Sequence, residues 1–227
     1  MRTSIEYEDN HIIVAYKPAG FAAQTAGVGQ PDMVSELKNY TKGGYLGIIH
    51  RLDQPVEGLL VFGKTREAAA SLTKQLGAGT LHKHYYAAVC GVPAKTQGEL
   101  TDYLRKSPDR RAEIVPVEQA ESAGARRAVL RYRLLGTQSE KYSLLDIHID
   151  TGRFHQIRAQ LSHAGLPILG DTKYGTEQSR QMSRELSVGS VALCACELTF
   201  LHPVSGERLC FQVVPRGAVF QKFGYDF

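Results

Sequence analysis

The chain has 227 residues, of which 43% are hydrophobic and 22% charged, with a formal net charge of +4. That apolar content supports a substantial core, and the absence of a long run of one charge sign excludes wholesale disorder. No apolar run reaches the roughly 18–20 residues of a membrane-spanning helix, and the polar start from Met1 to Asp9 is no secretory signal. The sequence pI of about 8.8 is compatible with a polyanionic partner without being evidence for one.

His11 to Tyr16 reads as a strand that stops at the Lys17-Pro18-Ala19-Gly20 turn, and Gly27-Val28-Gly29-Gln30-Pro31 as loop. Asp32 is placed to cap a short helix with Val34 and Leu37 inward, ending near Lys42-Gly43-Gly44. Ile48-Ile49 and Leu59 to Phe62 are buried strand segments. Thr65 caps the next helix, with Ala69, Leu72 and Leu76 as its apolar stripe and Gly77 and Gly79 as its end. Lys83 to Gly91 is a strand with Tyr85, Ala87 and Val89 on one face. The segment 98–137 is polar and irregular, with basic pieces at Arg105-Lys106, Arg110-Arg111 and Arg126-Arg127. Ala128 to Leu135 and Ser143 to Ile149 read as an antiparallel pair.

A helix is expected from Arg153 or Phe154, burying Phe154, Ile157, Leu161 and Ala164 and ending at Gly165, with His155, Arg158 and Ser162 on another, polar face. Val191 to Leu201 and Glu207 to Val214 form a final hairpin. Strands with few helices and antiparallel neighbours give an α+β fold, and no linker divides residues 1–227, which are read as a single domain. Cys90, Cys194, Cys196 and Cys210 match no zinc or disulfide framework and are expected as buried free thiols in a reducing cytoplasm. His82 and His84 lack further ligands at metal-binding spacing, so no metal is expected.

The chemistry concentrates in Gly47-Ile-Ile-His50-Arg51-Leu-Asp53-Gln-Pro-Val-Glu-Gly58. Charges held between two buried strands are costly unless they are paired or used. A lone His-x-x-Asp would ordinarily be a satisfied turn, just as Tyr85 alone would be core and Arg158 alone a solvated helix residue. The combination is what departs from that background. His50-Arg51-Leu52-Asp53, Lys83-x-Tyr85-x-Ala87-x-Val89-x-Gly91, and Thr151-Gly152-Arg153 with His155-Gln156-Ile157-Arg158 follow one another in order, then Pro167-Ile168, Gly170-Asp171, Tyr174-Gly175 and Leu201-His202-Pro203.

This series resembles the motifs of the RluA-type RNA pseudouridine synthases over most of the chain. The resemblance implies the fold of that family: a mixed, mostly antiparallel central sheet with flanking helices and a cleft across it. It implies conversion of specific uridines to pseudouridine in ribosomal or transfer RNA, with Asp53, Tyr85 and Arg158 as the catalytic residues. Arg51, His50, Arg153, His155 and Gln156 then serve the substrate. Asp53 acts as nucleophile or as base at the sugar, Tyr85 lies beside the base, and Arg158 pairs with Asp53. Arg51 fills the space that a flipped uridine leaves. The isomerisation involves no redox or phosphoryl step, so no cofactor is implied. Many relatives carry a small RNA-binding domain ahead of the catalytic one. Here the first catalytic strand starts near residue 11, so RNA is expected to bind a basic cleft of the catalytic domain, in a cytoplasmic monomer that does not engage membranes. Gln54-Pro55-Val56-Glu57-Gly58, Phe154 and Gln160 depart from the common pattern without touching Asp53, Tyr85 or Arg158. Two other readings compete: a catalytically silent RNA-binding module of the same fold, and an Asp/His-dependent hydrolase.

Overall fold

A computed structural model describes residues 1–25 and 30–225, so Gly27 to Gly29 of the expected loop lie outside the described residues. The strands are β1 (Ser4–Glu8), β2 (Ile12–Lys17), β3 (Gly47–Ile48), β4 (Glu57–Gly63), β5 (His82–Cys90), β6 (Gln97–Lys106), β7 (Ala112–Val115), β8 (Arg126–Gln138), β9 (Tyr142–Ile149), β10 (Leu193–Leu201) and β11 (Arg208–Gln212). The helices are α1 (Met33–Tyr40), α2 (Arg66–Ala78), α3 (Gln156–His163), α4 (Glu177–Glu185) and α5 (Ala218–Gln221). The described residues divide into two compact units, the first within residues 1–83 and 194–216 and the second within residues 84–193 and 217–225.

In the first unit the strands run in the order β1-β2-β4-β10, with β3 on β4 and β11 on β10. All of these pairs are antiparallel except β4 with β10. Residues of β2 and β4 are buried along their whole length, which explains why both read as continuous apolar runs. Ile12, Val14, Leu59, Val61, Leu198 and Phe200 pack with Ala68 and Leu72 of α2 in one core. Each large side chain in that cluster contributes about 1.5–3 kcal/mol by leaving water. Capping follows the sequence: Asp32 accepts the Ser35 N–H at 2.7 Å and Thr65 the Ala68 N–H at 3.1 Å. Gly77 is not a stop; it lies inside α2, and only Gly79, left-handed at φ 71°, ends the helix.

In the second unit the order is β5-β9-β8-β6-β7, all antiparallel. The expected pair of strands is present as β8 and β9. The reading of 98–137 as irregular is overturned, since β6, β7 and most of β8 occupy it. Its polarity has a physical cause: β6 is exposed or half-buried at nearly every position, and Leu104 alone is fully buried. Such a strand shows water a polar pattern and takes its stability from ladder hydrogen bonds and long cross-strand side chains. Helix α3 starts later than expected, leaving Phe154 exposed ahead of it rather than in the core. Cys90, Cys194 and Cys196 are buried and in no disulfide among the described residues, but Cys210 is exposed because alternate residues of β11 face solvent. Among the described residues no helix is long and apolar enough to cross a membrane.

Candidate active site

In the first unit Asp53 sits half-buried on a turn between β3 and β4, with Arg51 exposed beside it. The turn closes through the Val56 N–H, which donates to the Asp53 carbonyl at 3.0 Å. It is anchored from below by Lys17, a fully buried side chain whose ammonium donates to the carbonyls of Phe21 at 2.7 Å, Gln54 at 3.0 Å and Pro18 at 3.1 Å. The Gly20 N–H also donates to the Gln54 carbonyl, at 2.9 Å. Burial pulls the Lys17 pKa down to about 8, against the charges of Asp53 and Glu57, which push it up. Lys17 thereby ties the Lys-Pro-x-Gly turn to the residue directly after Asp53.

Beneath the same turn, Tyr16 donates its hydroxyl to buried Glu57, and the Arg216 guanidinium lies 3.9 Å from the centroid of the Tyr16 ring. Burial raises the Tyr16 pKa, so it stays a donor. Gly58 has φ 126°, and a Cβ there would come within 2.4 Å of the Ala195 carbonyl oxygen, so the parallel β4–β10 contact requires glycine.

His50 is buried, and neither ring nitrogen has a hydrogen-bond partner among the described residues. Burial, reinforced by the nearby charge of Lys83, holds its pKa well below the ordinary imidazole value and keeps it neutral at pH 7. Lys83 is itself drawn down to about 8 by burial.

In the second unit Tyr85 is buried on β5 opposite Ile147 of β9. The polar face of α3 converges on one partner, Tyr174. His155 Nδ1 lies 2.8 Å from the Tyr174 hydroxyl, and Ser162 donates to its carbonyl at 2.6 Å. The Arg158 guanidinium lies 5.1 Å from the centroid of its ring. Arg158 also makes a bidentate pair with Asp171, Nε to Oδ2 at 2.7 Å and Nη2 to Oδ1 at 2.9 Å. Sequence reasoning missed this partner. The signal was present, since Asp171 and Tyr174 fall within the Gly170 to Gly175 motif, but nothing local says which cation a distant carboxylate meets.

Gln156 is buried, and its amide spans the turn before α3: Oε1 accepts from Thr151 Oγ1 at 2.8 Å and from the Arg153 N–H at 3.0 Å, and Nε2 donates to the Val129 carbonyl at 3.0 Å. His155 holds a left-handed backbone at φ 50° and stacks on Phe154 with ring centroids 3.8 Å apart. Arg153 is exposed and donates to the Arg127 carbonyl at 3.1 Å. Asp53 belongs to the first unit and Tyr85 and Arg158 to the second.

The family model for RNA pseudouridylate synthase matches residues 11–163. The chain belongs to the RluA-type RNA pseudouridine synthases. Ribosomal large subunit pseudouridine synthase D of Zymomonas mobilis is 33% identical over 91% of this chain and 67% of its own length. tRNA pseudouridine synthase C of Pectobacterium carotovorum is 31% identical over 97% of this chain and 62% of its own. The chain thus spans about two thirds of the length of these relatives. Human RNA Pseudouridylate Synthase Domain Containing 1 shares the fold, with a TM-score of 0.77 at 21% identity over 94% of this chain and 83% of that structure. As an RNA pseudouridine synthase the enzyme is an isomerase, and RNA is its substrate class. The α+β fold with a mostly antiparallel sheet is the one expected for it.

Proposed function

We propose that residues 1–227 act as one catalytic domain that isomerises specific uridines in structured ribosomal or transfer RNA, with Asp53 as the catalytic carboxylate. The observation that carries this reading is the construction of the Asp53 turn. A buried ammonium fixes the peptide next to Asp53, and a neutral, buried histidine without a hydrogen-bond partner among the described residues lies three residues before it. A carboxylate on a rigid turn keeps its geometry as water leaves, which is what an attack or proton abstraction at the sugar requires.

In this proposal Tyr85 offers its ring to the base, and Arg158 is the cationic member of the catalytic set. His50 directs its ring nitrogens to the base, and Arg51 occupies the space that the extruded uridine vacates. Arg153 and His155 contact the RNA, and Gln156 holds the turn that presents them. Lys106 supports an RNA path along this surface, because its ammonium lies 4.9 Å from the centroid of exposed Phe154, beside exposed Arg153. Together with Arg105, Arg127 and Arg153 it forms the basic cleft of the proposal, in a cytoplasmic monomer that needs no cofactor.

The test is Asp53→Asn on RNA labelled with tritium at uridine C5, followed by tritium release. The amide removes the charge at nearly constant shape, so turnover should fall by more than about a hundredfold, some 2.7 kcal/mol in the barrier, with folding intact. A variant within about tenfold of wild type, roughly 1.4 kcal/mol, rejects Asp53 as the catalytic group.

A further inference from the structure

The register of the second unit assembles a side-chain cluster that the isomerisation does not use. On β5, His84 points to the face opposite Tyr85. It lies directly across from His148 of β9, and Asp146, two residues earlier on β9, shares that face. The imidazole centroids of His84 and His148 are 3.6 Å apart, and His84 Nδ1 lies 3.9 Å from Asp146 Oδ1. One donor atom from each of the three residues falls within 4.8 Å of the others. The second carboxylate oxygen is already engaged, because Arg133 Nη2, on the neighbouring β8, lies 3.1 Å from Asp146 Oδ2. Arg133 thereby fixes the carboxylate and leaves Oδ1 turned toward the imidazoles.

We propose that His84, Asp146 and His148 bind one divalent cation of the borderline class, with Zn²⁺ the best fit. Two imidazole nitrogens and one carboxylate oxygen form a three-ligand set that suits zinc and leaves a fourth position for water. Mg²⁺ and Ca²⁺ fit poorly because they favour all-oxygen shells. Zinc bonds of about 2.0–2.1 Å place tetrahedral ligands roughly 3.4 Å apart. The donor atoms, within 4.8 Å of one another, therefore have to close by up to about 1.4 Å when the ion binds. Asp146 is nearly buried, its side chain 11% exposed, whereas that of His84 is 28% exposed, so the carboxylate is fixed while the cation enters from solvent on the imidazole side. On β5 alone, His82 and His84 offered too few ligands; the pairing with β9 contributes the other two. A cation here clamps β5, whose other face carries Tyr85, to β9, and so stabilises the folded chain by mass action.

The experiment titrates the full chain with Zn²⁺ in competition with a chromophoric chelator, and with Co²⁺ read by its visible absorption. The expected result is one equivalent bound. His148→Gln and Asp146→Asn each weaken it at least tenfold, while His163→Gln and Cys210→Ser leave it unchanged. Saturating Zn²⁺ should raise the thermal midpoint of the wild type and not that of the His84→Gln/His148→Gln double variant. Metal-free midpoints of all variants are measured first, so that a folding defect is not read as lost binding. The proposal is overturned if Zn²⁺ binds no tighter than about 100 μM, or if the double variant binds as the wild type does. Either result leaves the three residues as a polar cluster without a metal.

Discussion

Arg158 and Asp171 grip each other through two nearly parallel hydrogen bonds of 2.7 and 2.9 Å, and both side chains are almost fully withdrawn from solvent. Asp171 Oδ1 additionally accepts the backbone N–H of Lys173 at 2.9 Å and of Tyr174 at 3.1 Å. The pair therefore sets the orientation of Arg158 and the shape of the turn that Tyr174 occupies. A guanidinium needs this kind of planar partner to be held in one pose, which a lysine at the same position would not reproduce.

Asp171→Asn is expected to destabilise the fold by about 3 kcal/mol or more, because it removes the charge that compensates a buried guanidinium. Chemical denaturation checks this. Burial by itself raises the Asp171 pKa, but the hydrogen bonds and charge of Arg158, with the two backbone donors, outweigh it and hold the carboxyl below its ordinary value. A depressed folded pKa contributes stability that is complete above the unfolded value near ~3.9 and is lost as pH falls through the folded one. Below about pH 4 the wild type should thus lose stability more steeply than Asp171→Asn.

His50 should show no protonation at the ordinary imidazole pKa when its ring is followed by NMR. The neutral form is the one stabilised in the fold, so stability is full above the unfolded pKa near ~6.5 and declines as pH falls below it. His50→Phe removes no hydrogen bond to a described residue and should fold. Its kcat/KM should fall by at least about tenfold if the ring nitrogens serve the uridine; unchanged kinetics would assign His50 to packing alone.

Gly58→Ala is expected to disrupt the first unit. The added methyl meets the Ala195 carbonyl oxygen at 2.4 Å from a backbone at φ 126°, and its three nearest neighbours are all main-chain atoms of Ala195, with no flexible side chain to yield. Overpacking of this kind costs typically about 1–3 kcal/mol, with the strained φ added. Soluble yield and the urea midpoint measure it, and a wild-type midpoint would show that β4 and β10 can part.

RNA affinity should fall steeply with salt, with a log-log slope of about −0.7 for each phosphate neutralised on single-stranded RNA. Lys106→Glu combined with Arg153→Glu should flatten that slope by one to two phosphates' worth, roughly 0.7–1.4. Filter binding over a salt series measures it. An unchanged slope would remove this surface from the RNA path.

Local order was legible wherever one residue type has one physical use. Asp32 and Thr65 were readable as caps because a short oxygen side chain satisfies orphan N–H groups, and β2 and β4 because fully buried strands must be apolar. The family motifs were legible through their order along the chain. Strand β6 was not, since a strand wet on most of its surface carries little periodic signal, and neither was α4, whose surface is mostly polar and whose buried residues are only Ser179 and Ser183.

By itself the sequence determined the apolar strands, the caps at Asp32 and Thr65 and the fold class, because these depend on local sterics and on the burial of apolar surface. Partnership was decided only by the tertiary structure. Arg158 meets Asp171 across 13 positions of chain, the Lys17 ammonium finds the Gln54 carbonyl 37 positions away, and His84 reaches His148 through strand register. Charge and hydrogen-bond energies fall off over a few ångströms, so which groups pair depends on where the backbone returns, and no local pattern encodes that distance.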